Sequence, residues 1–127
     1  MTLETFLPDI AAYLETNNVT PVSIAGNFEQ YSNGIYIAPY GGLYPMTIVT
    51  NDANPIGVDM QVLISNISNQ TALSQVYKVI RLLRDVHNMT IGDTKFLYIQ
   101  QKYGAFFIGK SNAGYYNYSL NFSVLMA

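Results

Sequence analysis

The order of periodic segments in this chain predicts an α+β domain: an antiparallel or mixed β-sheet of about four to five strands with two main helices packed on one face. Three observations carry that expectation. Tyr116, Tyr118, Leu120, Phe122, Val124 and Met126 alternate strictly with Asn117, Ser119, Asn121 and Ser123, the period-two signature of a strand with one buried and one polar face. Two earlier segments carry apolar residues at three-and-four spacing, the helical period. A Gly109–Gly114 turn precedes the last strand, which therefore folds back as a hairpin and favours antiparallel neighbours.

In the first helix Leu3, Phe6, Leu7, Ile10, Ala11 and Leu14 share a face, while Glu4, Asp9 and Glu15 meet water. Thr2 supplies a cap, and Asn17 and Asn18 end the helix. Pro8 falls in the tolerated first turn if the helix starts at Thr5, and otherwise kinks it. A short apolar piece, Val22 to Ile24, leads through Gly26 and Asn33-Gly34 to a strand at Ile35 to Ala38, closed by Gly41-Gly42. Leu43 to Pro55 reads in two ways, as a long connection with a weak strand at Met46 to Val49 or as an arm reaching a neighbour.

Gly57 to Ile64 alternates again, with Met60, Val62 and Ile64 on one face and Asp59, Gln61 and Ser65 on the other. The second helix is capped by Ser68 or Asn69 and carries an apolar stripe of Leu73, Val76, Tyr77, Ile80 and Leu83. Lys78, Arg81, Arg84 and Asp85 line its opposite side. Arg81 and Asp85 are spaced for a helical ion pair worth about 0.3 to 0.5 kcal/mol. After the Gly92-Asp93 turn a strand runs from Lys95 to Lys102, and Ala105 to Ile108 extends or resumes it past Gly104.

The 127 residues fit a single domain, 1–127, with no internal repeat or linker. A domain of this length buries roughly two thirds of its unfolded surface, so one core suffices without staples. There is no Cys and no His–carboxylate cluster to staple it with a disulfide or a zinc ion. Met1 to Leu14 has no basic residue, unlike a secretory signal, and no stretch nears the roughly 20 apolar residues of a membrane span. A cytoplasmic protein without membrane contact is expected. The six Asn-x-Ser/Thr triplets then reflect a chain rich in Asn, Ser and Thr.

Charged residues make up only 11%, but their placement is uneven. From Met1 to Tyr77 there are six acids, Glu4, Asp9, Glu15, Glu29, Asp52 and Asp59, and no Lys or Arg. From Lys78 onward six bases face only Asp85 and Asp93. This is either the accident of a charge-poor chain or an acidic face made to meet a basic face of the next subunit. Eleven Tyr, six Phe and five Met favour interfaces. A pI near 5.0 lacks the basic excess of a DNA-binding module.

Catalytic patterns are missing. The single histidine, His87, reads as a residue at the end of the second helix, favoured there by the helix dipole. Gly109-Lys110-Ser111 resembles the end of a phosphate loop, but the first loop glycine is absent and a hairpin follows instead of a helix. Tyr36, Tyr40, Tyr44, Tyr98, Tyr103, Tyr115, Tyr116 and Tyr118 could form a stacking platform, yet without interleaved Arg or Lys they read as strand residues. Neither enzyme activity nor a cofactor or metal is expected.

Three stretches, LETFLPDIAAYLETNN, DMQVLISNISNQTALSQVYKVIRLL and GAFFIGKSNAGYYNYSLNFSVLM, resemble phage minor capsid proteins related to the tail terminators of long-tailed bacteriophages. The resemblance rests on pattern, and it is weakest over Leu43 to Pro55. It implies a virion protein of the neck, assembled in the host cytoplasm as a homo-oligomeric, typically hexameric ring. Such a ring sits on the last tail-tube ring, stops its polymerisation and presents a surface to head-completion proteins, while DNA passes through the lumen without specific binding. For the subunit interface, Lys78, Arg81 and Arg84 are expected to pair with a neighbour's acids, Glu4, Asp52 and Asp59. Two other classes stay open: another neck or tail component, such as a head-completion adaptor or a tube subunit, and a cytoplasmic ligand-binding module using the tyrosines. A tube subunit grows long tubes, a terminator does not, and a binding module is a monomer stabilised by its ligand.

Overall fold

The computed structural model describes residues 6–24, 33–45 and 56–127, with the backbone alone at 40–45. The elements in chain order are α1 (Phe6–Thr16), β1 (Val22–Ile24), β2 (Gly34–Pro45), β3 (Ile56–Asn66), α2 (Asn69–Arg84), β4 (His87–Ile91), β5 (Thr94–Gln101), β6 (Phe106–Lys110) and β7 (Tyr116–Met126). The fold is α+β as expected. Among the described residues, however, the sheet has seven strands instead of four or five and is mixed, because β1 runs parallel to β2 while every other pair is antiparallel.

In α1 the expected apolar face is the buried one: Phe6, Leu7, Ile10, Ala11 and Leu14 all enter the core. Pro8 is the third helical residue, where its missing N–H has no partner to lose. Asn18 then takes a left-handed conformation (φ 68°), tolerated by Asn, and the Val19 amide donates back to the Leu14 carbonyl at 2.9 Å. That closes the helix and buries Val19 completely.

Residues 46–55 with the weak strand expected at Met46 to Val49, the Thr2 cap expected for the first helix, and the acids Glu4, Glu29 and Asp52 lie outside the described residues. Within Leu43 to Pro55, residues 43–45 belong to β2 and pair with Val58, Gly57 and Ile56 of β3. Gly41-Gly42 therefore does not close the strand. The register shift between Pro39 and Leu43 absorbs the glycine pair, and the ladder resumes beyond it.

β3 and β7 pair over eleven consecutive residues, Ile56 opposite Met126 through Asn66 opposite Tyr116. The far flank of β7 is shared: β5 takes Phe122–Met126 and β6 takes Tyr116–Ser119. β6 thus resumes the line of β5 past Gly104, as read from the sequence. One face of this sheet, including Ile35, Ile37, Val58, Met60, Val62, Ile64, Leu120, Phe122 and Val124, forms the core with α1 and α2.

Ser68 caps α2, its hydroxyl accepting from the Thr71 amide at 3.2 Å. The buried stripe of α2 is Ala72, Val76, Val79 and Leu83, rotated from the expected one. Tyr77 is exposed in consequence. Small Ala72 lets the helix approach the sheet, and a tyrosine accepts water at its hydroxyl. α2 stops at Arg84, with Asp85 as C-cap, so Arg81 and Asp85 make no side-chain ion pair. His87 is not the end of this helix; it opens β4, a strand too polar in HNMTI to be read as one. Tyr13 of α1 donates its hydroxyl to the Leu82 carbonyl at 3.2 Å, and burial, then the Asp85 carboxylate, raises its pKa.

Asp9 joins α1 to the turn between β4 and β5. Its carboxylate accepts from the Asp93 amide at 3.2 Å and from the buried Thr94 hydroxyl at 2.6 Å. Gly92 allows that approach, with a positive φ of 60° and no Cβ to strike the carboxylate. Asp9→Ala should cost about 1–3 kcal/mol, seen as a lower urea midpoint with an unchanged slope. Gly92→Ala should be at least as damaging in the same measurement, because it adds strain to the same lost contact.

Candidate assembly surfaces

The outer face of α2 gathers charge and an aromatic ring. Arg81 and Arg84 are exposed, and Tyr77, one turn before Arg81 on α2, is 64% exposed. Arg and Tyr are the residue types most often found as energetic anchors of interfaces. Lys78, on the flank of this face, is half-buried, with its ammonium 3.5 Å from the Asn18 carbonyl. It lines a shallow polar recess of about 400 Å³ with Asn18, Gln70, Thr71, Ser74 and Gln75. Among the described residues no tyrosine lines this recess.

Of the three acids expected to meet these bases, only Asp59 is among the described residues. It sits on β3 and is engaged within its own chain, 3.0 Å from the Lys102 ammonium and accepting from the Ser123 hydroxyl at 3.3 Å. The pair is partly exposed and contributes at most about 1 kcal/mol. Around it, the sheet face turned away from the helices carries Gln61, Ser65, Asn117, Ser119, Asn121 and Ser123, a layer of amides and hydroxyls. Gln61 donates to the Ser119 hydroxyl at 3.1 Å. The Asn117 side chain is buried, donating to the Gly109 and Tyr115 carbonyls, so this triplet asparagine is enclosed by the hairpin.

The third surface is β6. It pairs with β7 on one flank, and its other flank has no strand partner among the described residues. Phe106, Phe107 and Ile108 are 54%, 55% and 50% exposed, preceded by Tyr103 at 56%. An apolar, unpaired edge is what solitary proteins avoid. Phe107 leans on Tyr118 and Tyr116, with ring centroids 5.2 and 6.4 Å away, and Lys110 lies 5.1 Å from the Tyr116 centroid. Lys102 lies 5.9 Å from the Tyr103 centroid. Lysines are therefore interleaved with tyrosines in space although not in sequence, but Lys102 already serves Asp59. The hydroxyl of Tyr118 is 2.6 Å from Asn69 at the start of α2, which anchors this hairpin to the helix layer.

His87 is an exposed strand residue, and among the described residues no group of three His, Cys, Asp or Glu could hold a metal. No helix among them is long and apolar enough to cross a membrane. The exposed β6 edge was missed from the sequence because Ala105 to Ile108 has the composition of a buried strand; only the topology leaves it outside.

No protein-family model and no curated protein matches the chain. Its fold is similar to that of a chain in the virion of a native gene transfer agent particle, with a TM-score of 0.54 and 13% sequence identity over 92% of this chain and 83% of that one. At that identity the likeness concerns the fold.

If Tyr77 and Phe106 serve contacts outside the domain, removing them should leave its stability nearly untouched. Tyr77→Ala and Phe106→Ser are each expected within about 0.5 kcal/mol of the parent in urea unfolding. Phe122→Ala, at a fully buried position, should lose about 3–5 kcal/mol in the same assay.

Proposed function

We propose that this chain is a structural protein of a phage-like virion, the subunit of a neck ring that caps the tail tube, stops its polymerisation and joins tail to head. The observation that carries this reading is a fold shared over nearly its whole length with a virion chain of a gene transfer agent. The three sequence stretches that resemble tail terminators include most of the elements forming that fold.

The sheet gives the uneven charge a spatial form. β1, β2 and β3 all precede Lys78 and β4 to β7 all follow it, and the strand order places the first group on one side of the β3/β7 seam and the second on the other. The halves do not interleave within the sheet. A subunit with strands from the acid-only half on one side and from the base-rich half on the other suits a head-to-tail contact, in which unlike surfaces meet around a closed ring. Exposed charge pairs contribute little each, about 0.2 to 1 kcal/mol, so they set register and encounter rate more than affinity.

In this reading Lys78, Arg81 and Arg84 of α2 face Glu4, Asp52 and Asp59 of the next copy, with Asp59 shared between that contact and its own Lys102. The ring is a hexamer whose two rims meet the tail-tube protein and a head-completion protein, and DNA passes through it unread. The role is one of surface complementarity and needs no catalytic group or cofactor.

Native mass spectrometry across a salt series, with negative-stain imaging of the dominant species, tests the assignment. Closed rings of about six copies without longer tubes are expected for a closed cyclic contact, dissociating as salt screens the charges. Long tubes would replace the cap by a tube subunit, and a salt-independent monomer stabilised by a small ligand would replace it by a binding module. Arg81→Glu with Arg84→Glu should weaken the ring at least tenfold; unchanged assembly would remove α2 from the interface.

A further inference from the structure

We infer that the ring contact is continuous β-sheet: the free flank of β6 in one copy pairs with the β1 edge of the next. This deepens the ring reading and rests on it. The occupant of the apolar edge is then a second copy of this chain, and four features of the sheet point to that partner.

The two edges lie on opposite sides of the β3/β7 seam: β1 ends the strand path on the β3 side, β6 flanks β7 on the side where the path runs on through β5 to β4, and among the described residues neither β1 nor β6 has a strand on its outer flank. Their directions are also compatible. β1 is parallel to β2, and β2–β3, β3–β7 and β7–β6 are each antiparallel, so β6 runs opposite to β1. Carrying a copy sideways around an axis along the strands therefore sets its β1 antiparallel to β6, the more favourable pairing.

Height along the strands agrees as well. Following the ladder across the sheet, Val22 lies in one row with Ile35, Ile64, Tyr118 and Phe107, and Ser23 in the next row with Tyr36, Leu63, Ser119 and Phe106. The two edges sit at the same level, so neither copy must slide along the strands for them to meet. Residues in one row share a face. Phe107 would thus extend the helix-side apolar layer onto the neighbour's Val22, and Phe106 would stand beside its Ser23.

The chemistry of the edges is matched too. Ile24 at the end of β1 is 48% exposed, answering the exposed Phe106 to Ile108, so pairing covers apolar surface on both sides. β6 ends at Lys110, whereas the half of the chain that contains β1 has no base before Lys78 to oppose it. β1 spans three residues and β6 five, so the contact is a short ladder repeated at each junction and needs the α2 charges beside it for register.

The chain has no cysteine, which allows a direct test. Ser23→Cys and Phe106→Cys in one chain place thiols at directly opposite positions of the inferred pairing, about 4.5–5.5 Å apart at Cα and within the span of a disulfide. Both positions are exposed, and unchanged melting under reducing conditions confirms an intact fold. After mild oxidation, the double variant should give a ladder of disulfide-linked multimers on a non-reducing gel, ending at the ring size, while either single variant stops at dimers. Rings present by native mass spectrometry but not linked beyond dimers would overturn the β6–β1 contact and leave the ring. Absence of both rings and ladder would overturn both. A ladder accompanied by long tubes would uphold the strand contact and overturn the cap.

Discussion

The pairing of β3 with β7 is the constraint on which the rest of this molecule depends. It joins the two halves of the chain through eleven consecutive residue pairs, and among the described residues it is the only strand contact between the group β1–β3 and the group β4–β7. Met60, Val62 and Ile64 on one strand and Leu120, Phe122 and Val124 on the other turn fully or almost fully buried side chains toward the helices. α2 rests on this seam, and α1 closes the core beside it. Because the two strands are distant in sequence, their ladder forms only after a large loop has been closed, and the hydrophobic layer must repay that entropy.

Much of the fold was legible because both seam strands show clean alternation. Tyr116 to Met126 and Gly57 to Ile64 each have one polar and one apolar face, and the apolar faces turn to the helices as the pattern requires, although Asn117 and Ser119 of the polar face are buried as well. α1 was equally plain, down to its stop at Asn17 and Asn18. What escaped was local. β4 is short, its alternation limited to Met89 and Ile91, and it is held by pairing with β5 across the Gly92 turn. β2 continues through a glycine pair that would end most strands, since β3 supplies the ladder on both sides of the irregularity. α2 was read with its stripe turned toward Tyr77 because Tyr counts as apolar in a pattern, although its hydroxyl makes exposure inexpensive.

The candidate surfaces were harder to see, for a reason of principle. Arg81 and Arg84 could be placed on the outside of a helix from spacing alone. The edge at Phe106, Phe107 and Ile108 could not, since nothing in a run of apolar residues says whether another strand will cover it. Sequence order was informative in one unexpected way: the change of charge at Lys78 coincides with the division of the sheet at its seam. A one-dimensional asymmetry is kept in three dimensions because the chain completes one side of the sheet before crossing, through α2, to the other.

That topology also sets an order of events during synthesis. β6 is made before β7, yet β7 is its only strand partner among the described residues. Until β7 is in place, β6 has no ladder to hold it extended, and the core lacks Leu120, Phe122 and Val124. A chain that lacks β7 therefore presents no organised β6 edge. The edge and the core are thus completed by the same strand, because β7, which follows β6 in the chain, lies between β3 on one flank and β5 and β6 on the other.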